Sequence, residues 1–184
     1  MDEEMKALVS RLAEYLRRSE QQLRCFHKYE SQVEGWFKGE LICFLEQERL
    51  AGHLSDFKPE RLVGIGKTKI DIVLHFNNDM PIQWVELKHW IGYQNNTSYS
   101  PSGYFTTTTK KKDRLYAKHC VEWLLAIPEN GDKFMLVLFT PNPLSKKWKS
   151  GVEKFNKSYP DVCSLTNPDE YPDYFFLGLL HVSD

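Results

Sequence analysis

The run KFMLVLF at residues 133–139 is apolar at every position after its first. A strand with apolar side chains pointing both ways must be covered on both faces, as in a parallel pairing with helices above and below the sheet. Pro141 and Pro143 follow at once and end it, since proline cannot donate to a ladder. This one segment points to a layered fold in which helices flank a central sheet.

The rest of the chain supplies the other layers. Residues 3–24 read as an amphipathic helix carrying Met5, Leu8, Leu12, Leu16 and Leu23 at helical spacing, an accessory element ahead of the core. A second helix spans about 30–50, with Val33, Phe37, Leu41 and Phe44 as its apolar stripe and Gly52 as its stop. Three extended runs come next, a short one near 61–65, then 69–76 and 82–89, the last two joined by the turn NNDMP and so expected to pair antiparallel. Residues 91–109 form a long polar loop without periodicity. A helix over about 112–127, the strand at 133–139, a basic helix beginning at Ser145 and a strand over 174–182 complete the order. The succession helix, three strands, helix, strand, helix, strand describes an α/β sandwich with a central mixed sheet in one domain spanning 1–184.

At 184 residues such a chain buries a sizeable core, and 41% hydrophobic with 27% charged residues fits a folded protein. A net charge of −1 gives no global attraction to nucleic acid or to an anionic membrane, so any such binding must come from local patches. Cys25, Cys43, Cys120 and Cys163 are widely spaced and make no CxxC pair, which excludes a zinc ribbon and predicts free, mostly buried thiols. The acidic start and the lack of a long apolar segment give the expectation of a cytoplasmic protein without membrane association.

Gly66-Lys67-Thr68 has the closing letters of a phosphate-binding loop, but Arg61 stands where its first glycine belongs. The residues after Thr68 are β-branched and apolar, Ile70, Ile72, Val73 and Leu74, so the segment enters a strand and not the helix that such a loop requires. Asp71 is the anomaly in that strand. The neighbouring strand carries Glu86 and Lys88, two residues apart and therefore on one face, and Asp71 can join them across the hairpin. Two carboxylates held close repel each other unless a cation lies between them, and an oxygen-rich set suits Mg²⁺ or Mn²⁺ ahead of zinc. Such an ion polarises a phosphodiester and lowers the pKa of bound water, while an adjacent ammonium orients that water. The tripeptide alone carries little weight, as Glu4-Met5-Lys6 shows; its place in an apolar strand one hairpin from Asp71 gives it meaning.

Asp71 followed fifteen residues later by Glu86-Leu87-Lys88, in WVELKHW, resembles the PD-(D/E)XK nuclease superfamily, the restriction-endonuclease-like fold. The resemblance implies a core of helix, three strands, helix and strand over about residues 30–140. It implies Asp71, Glu86 and the backbone carbonyl of Leu87 as metal ligands and Lys88 as the water-activating lysine. Members often carry a further acidic residue on the first core helix, a role that falls to Glu40 here, with Glu34 as the substitute. The chain departs from the pattern where Ile70 replaces the proline, and Gln94 and Tyr99 stand one residue too far apart for a Gln-x-x-x-Tyr motif. The implied activity is a metal-dependent nuclease cutting DNA in preference to RNA, and the alternative is a nuclease-fold module that binds nucleic acid or a protein without turnover.

Lys110, Lys111, Lys112 and Arg114 gather where a helix begins, a place that disfavours cations and favours a phosphate, and are the candidate nucleic-acid contacts. Lys146, Lys147 and Lys149 form a second basic patch. Tyr93, Tyr99, Tyr104 and Phe105 could stack on bases or form the polar loop's own small core. The amphipathic N-terminal helix is a candidate surface for a homodimer.

Overall fold

At the centre of the molecule lie two strands, β6 (Asp132–Thr140) and β8 (Phe176–Val182), whose residues are almost all buried. The computed structural model describes residues 2–29, 31, 33–63, 69–77, 80–91, 93–94, 97–98, 105, 117–143, 145–170 and 174–183. Among them are five α-helices: α1 (Asp2–Arg17), α2 (Glu20–Lys28), α3 (Glu34–Leu50), α4 (Ala117–Leu125) and α5 (Ser145–Asn156). The remaining strands are β1 (Leu54–Leu62), β2 (Lys69–Phe76), β3 (Gln83–Ile91), a small hairpin of β4 (Tyr93–Gln94) and β5 (Thr97–Ser98), and β7 (Val162–Ser164). Six strands form one mixed sheet in the order β1-β2-β3-β6-β8-β7. Among the described residues, of this sheet's pairings β3 and β6 alone run parallel, and the other four are antiparallel. The fold is therefore α/β, and the apolar run at 133–139 does lie in the parallel pair.

Where the structure departs from the expected elements, the cause is physical. The predicted helix at 3–24 is two helices, α1 and α2, broken at Arg18 and Ser19. Its apolar face is not free for a second copy, because Met5, Leu8, Leu12 and Leu16 are buried against the sheet and α3, with Leu41, Leu45, Ile72 and Leu136 among the residues facing them. The element is thus part of the core and not an accessory to it. Arg11 adds a charged tie, donating through Nε (2.7 Å) and Nη2 (2.6 Å) to Oε2 of the buried Glu48 on α3. Strand β1 is nine residues long and ends where the short run near 61–65 was expected to begin. It is a charged edge strand with Pro59 in it, and an edge strand needs no apolar alternation to hold its place. Its pairing with β2 runs from Leu54↔Phe76 to Leu62↔Lys69.

On the far side, α5 is seated by Trp148, which meets Phe176 edge-on at 4.9 Å, Phe139 at 5.1 Å and Phe105 at 5.3 Å between ring centroids. Phe105 is thereby a core residue and not a base-stacking one. Gly178 makes room for the indole, since a Cβ there would stand 2.6 Å from its Cη2. Three of the four thiols, Cys25, Cys43 and Cys163, are exposed and only Cys120 is buried, against the expectation of mostly buried thiols. Cysteine is apolar enough for either environment, so its type alone does not say which face it takes. Among the described residues no helix is long and apolar enough to cross a membrane.

Candidate active site

Asp71, Glu86 and Lys88 come together where β2 and β3 part. The ladder between these strands pairs Leu74 with Gln83, Val73 with Trp84 and Ile72 with Val85. One step further Asp71 stands at the level of Glu86, and there a side chain replaces the backbone partner: the Leu87 N–H donates to Asp71 Oδ2 at 2.9 Å. The exchange satisfies a donor that would otherwise be orphaned, and it fixes the carboxylate against the strand end. Residues 85 and 72 face α1 and α3, and alternation gives 86, 88 and 71 the other parity, at the strand ends that the first turns of α3 reach with Glu34 and Lys38.

Lys88 is buried and donates to Glu86 Oε1 and to the Leu87 carbonyl, both at 2.7 Å. Glu34 Oε1, at the start of α3, lies 3.6 Å from the same ammonium. Burial works against that charge, but the ionisable groups around it, Glu86, Cys120 and Glu34, hold its pKa above the usual lysine value. Glu86 is 3% exposed, and among the described residues no donor hydrogen reaches its buried Oε2, although the Asp71 carboxyl group lies within hydrogen-bonding reach. Burial pushes its carboxyl up to about 8 against the opposing pull of Lys88, and the negative Asp71 adds to the rise. Lys38, one turn along α3 from Glu34, completes the group with its Nζ 2.9 Å from Asp71 Oδ1.

Of the residues expected at the site, Asp71, Glu86, Leu87 and Lys88 are brought together and Glu40 is not. Glu40 lies on another face of α3, 3.4 Å from Arg18 Nη2 and close enough to Tyr15 to raise the phenol's pKa alongside burial. Six residues at 100° each place Glu40 about 120° around the helix from Glu34, which is why the substitute reaches Lys88 and Glu40 reaches α1. Lys110, Lys111, Lys112 and Arg114 lie outside the described residues, as do Tyr99 and Tyr104. Lys146, Lys147 and Lys149 are exposed on α5.

Two participants escaped the sequence reading. Lys38 shares its helical stripe with Glu34, a spacing that was legible but not distinctive among so many charged residues. Cys120 on α4 is buried beside the pair, its thiol pushed up to about 12 by burial and by the charges of Glu86, Glu34 and Asp71 against that of Lys88.

By type the oxygens here could hold a hard divalent cation, although Asp71 Oδ1 accepts from Lys38 and the Leu87 carbonyl from Lys88. Asp71 Oδ1, Glu86 Oε2 and the Leu87 carbonyl are all oxygens, and Mg²⁺ takes one or two carboxylates while keeping water or phosphate for its remaining positions. Among the described residues no group of three or more His, Cys, Asp or Glu side chains gathers to hold a metal. Comparison with protein-family models, curated proteins and solved structures finds no match to this chain.

Proposed function

We propose that the protein is a metal-dependent nuclease of restriction-endonuclease-like architecture that hydrolyses phosphodiester bonds, with DNA as the preferred substrate. The observation that carries this reading is the buried Glu86–Lys88 pair facing Asp71 at the divergence of β2 and β3, with the Leu87 backbone between them. An exposed ion pair has little stake in its position, whereas this one is buried with a carboxylate oxygen that no donor hydrogen reaches among the described residues. Mg²⁺ or Mn²⁺ bound to Asp71, Glu86 and the Leu87 carbonyl would polarise the scissile phosphate and lower the pKa of a water. Lys88, anchored to Glu86 and to its own strand, holds a proton donor and positive charge beside the attacked phosphorus, and Glu34 orients that ammonium. Lys110, Lys111, Lys112 and Arg114 are the proposed phosphate contacts.

One observation favours the second reading, a module that binds nucleic acid or a protein partner without turnover: the ammonium groups of Lys38 and Lys88 already occupy one oxygen on each of the two carboxyl groups. Incubation with supercoiled, linear and single-stranded DNA, in Mg²⁺ or Mn²⁺ and in chelator, separates the two. Cleavage that requires the ion and is lost in Asp71→Asn supports the nuclease. DNA binding with no cleavage under any condition supports the module.

A further inference from the structure

We propose that Lys38 is a resident counter-cation of the site, a positioning residue that holds Asp71 until a divalent ion enters and then moves wholly to Glu60. The inference rests on Asp71 being a cation ligand. Lys38 Nζ stands 2.9 Å from Asp71 Oδ1 and 2.9 Å from Glu60 Oε1, so one ammonium bridges two carboxylates from two strands. Asp71 Oδ2 is committed to the Leu87 N–H. Oδ1 is therefore the oxygen open to an ion, and it is the one that Lys38 covers.

Glu60 supplies the second station. It lies on the edge strand β1 with φ +53, a backbone region that non-glycine residues rarely adopt. Its carboxylate also meets Lys69 Nζ at 3.2 Å, and the two ammonium groups hold its pKa below the usual carboxylate range. A divalent ion at Asp71 would repel the ammonium it displaces, yet Lys38 need not be expelled to water, because its contact with Glu60 is already made. The flexible side chain can make this shift without movement of α3 or β1. The device keeps Asp71 oriented and paired in the absence of metal, and it sets a threshold of ion concentration for loading the site.

The test is Mn²⁺ affinity, read by the paramagnetic resonance signal of free Mn²⁺, for the parent, Lys38→Met, Glu60→Gln, the double variant and Asp71→Asn, with circular dichroism as the check of fold. Removing the competing charge should tighten Mn²⁺ binding in Lys38→Met on the order of tenfold. Glu60→Gln should weaken it several-fold, because Lys38 loses its alternative partner and stays on Asp71. In the double variant the Glu60 change should have no further effect, since it acts through Lys38. Lys38→Gln, which keeps hydrogen-bonding capacity without charge, should tighten binding as Lys38→Met does and guards against a packing artefact. Binding that depends on Asp71 but is unchanged or weaker in both Lys38 variants overturns the counter-cation role alone. Equal Glu60→Gln effects with and without Lys38 overturn the transfer to Glu60. Absence of Asp71-dependent Mn²⁺ binding in every variant overturns the inference together with the metal-dependent reading beneath it.

Discussion

Replacing Lys88 by Met removes the ammonium from the buried pair and takes away the donor to Glu86 Oε1. Side-chain exposures of 9% for Lys88 and 4% for Glu86 put this far from the surface case, in which an ion pair is worth about 0–1 kcal/mol. Stranding one ionised partner of a buried pair costs about 3–5 kcal/mol. Glu86 has an escape, because burial already raises its pKa to about 8 and the loss of Lys88 raises it further, so near pH 7 it can remain protonated. The expected loss near neutral pH is then nearer 2 kcal/mol, mostly the two charge-assisted hydrogen bonds offset by the smaller cost of burying Met. The sign of the pH dependence follows from the raised folded pKa. In the parent the Glu86 contribution is full below the unfolded value near 4.5 and is lost as pH rises towards about 8, while in Lys88→Met that loss continues to higher pH. Urea denaturation at about pH 6 and about pH 9 should therefore show a larger penalty at the higher pH, and the Lys88→Met penalty measured in a Glu86→Gln background should no longer differ between the two pH values. If Lys88 acts on the reaction, the nicking rate of the folded variant falls on the order of a hundredfold or more. A stability change under about 0.5 kcal/mol at both pH values would refute the buried pairing, and nicking at the parent rate would refute the catalytic role.

Glu86 also couples ion binding to protons: near pH 7 it must lose its proton to become a ligand, so Mn²⁺ binding should release about one proton and tighten with pH until about 8. Calorimetry in buffers of different ionisation enthalpy reads this release, which Glu86→Gln should eliminate; heats independent of buffer would contradict it. His89, half-buried with one ring nitrogen 3.0 Å from Thr140 Oγ1, has its pKa pushed down to about 4 by desolvation and by the nearby His27. A depressed histidine pKa contributes stability that is full above the unfolded value near 6.5 and falls by about 3 kcal/mol as pH drops to 4, so His89→Gln should lose less stability on acidification than the parent. Gly178→Ala would drive a methyl group into the Trp148 ring, and chemical denaturation should show a loss of about 1–3 kcal/mol. An unchanged midpoint would mean that the indole is not seated against β8.

Local patterning alone carried the choice of α/β class, the parallel burial of 133–139, the β2–β3 hairpin and the grouping of Asp71, Glu86 and Lys88, because period-two alternation and turn residues act within a few positions of each other. Strand β1 and the three-residue β7 were not legible in that way. One is charged and the other very short, and both are held by their neighbours in the sheet and not by their own apolar content. The acid on α3 shows the same divide at the site: Glu34 and Glu40 are equally good candidates by type and distance along the chain, and only the rotation of the packed helix aims one at Lys88 and the other at Arg18. Burial of the Glu86–Lys88 pair, the buried Glu86 Oε2, the adjacent Cys120 and the ammonium of Lys38 on Asp71 likewise came only from tertiary structure. Desolvation and charge proximity are properties of atoms that meet from distant elements, and no spacing along one strand or helix encodes them.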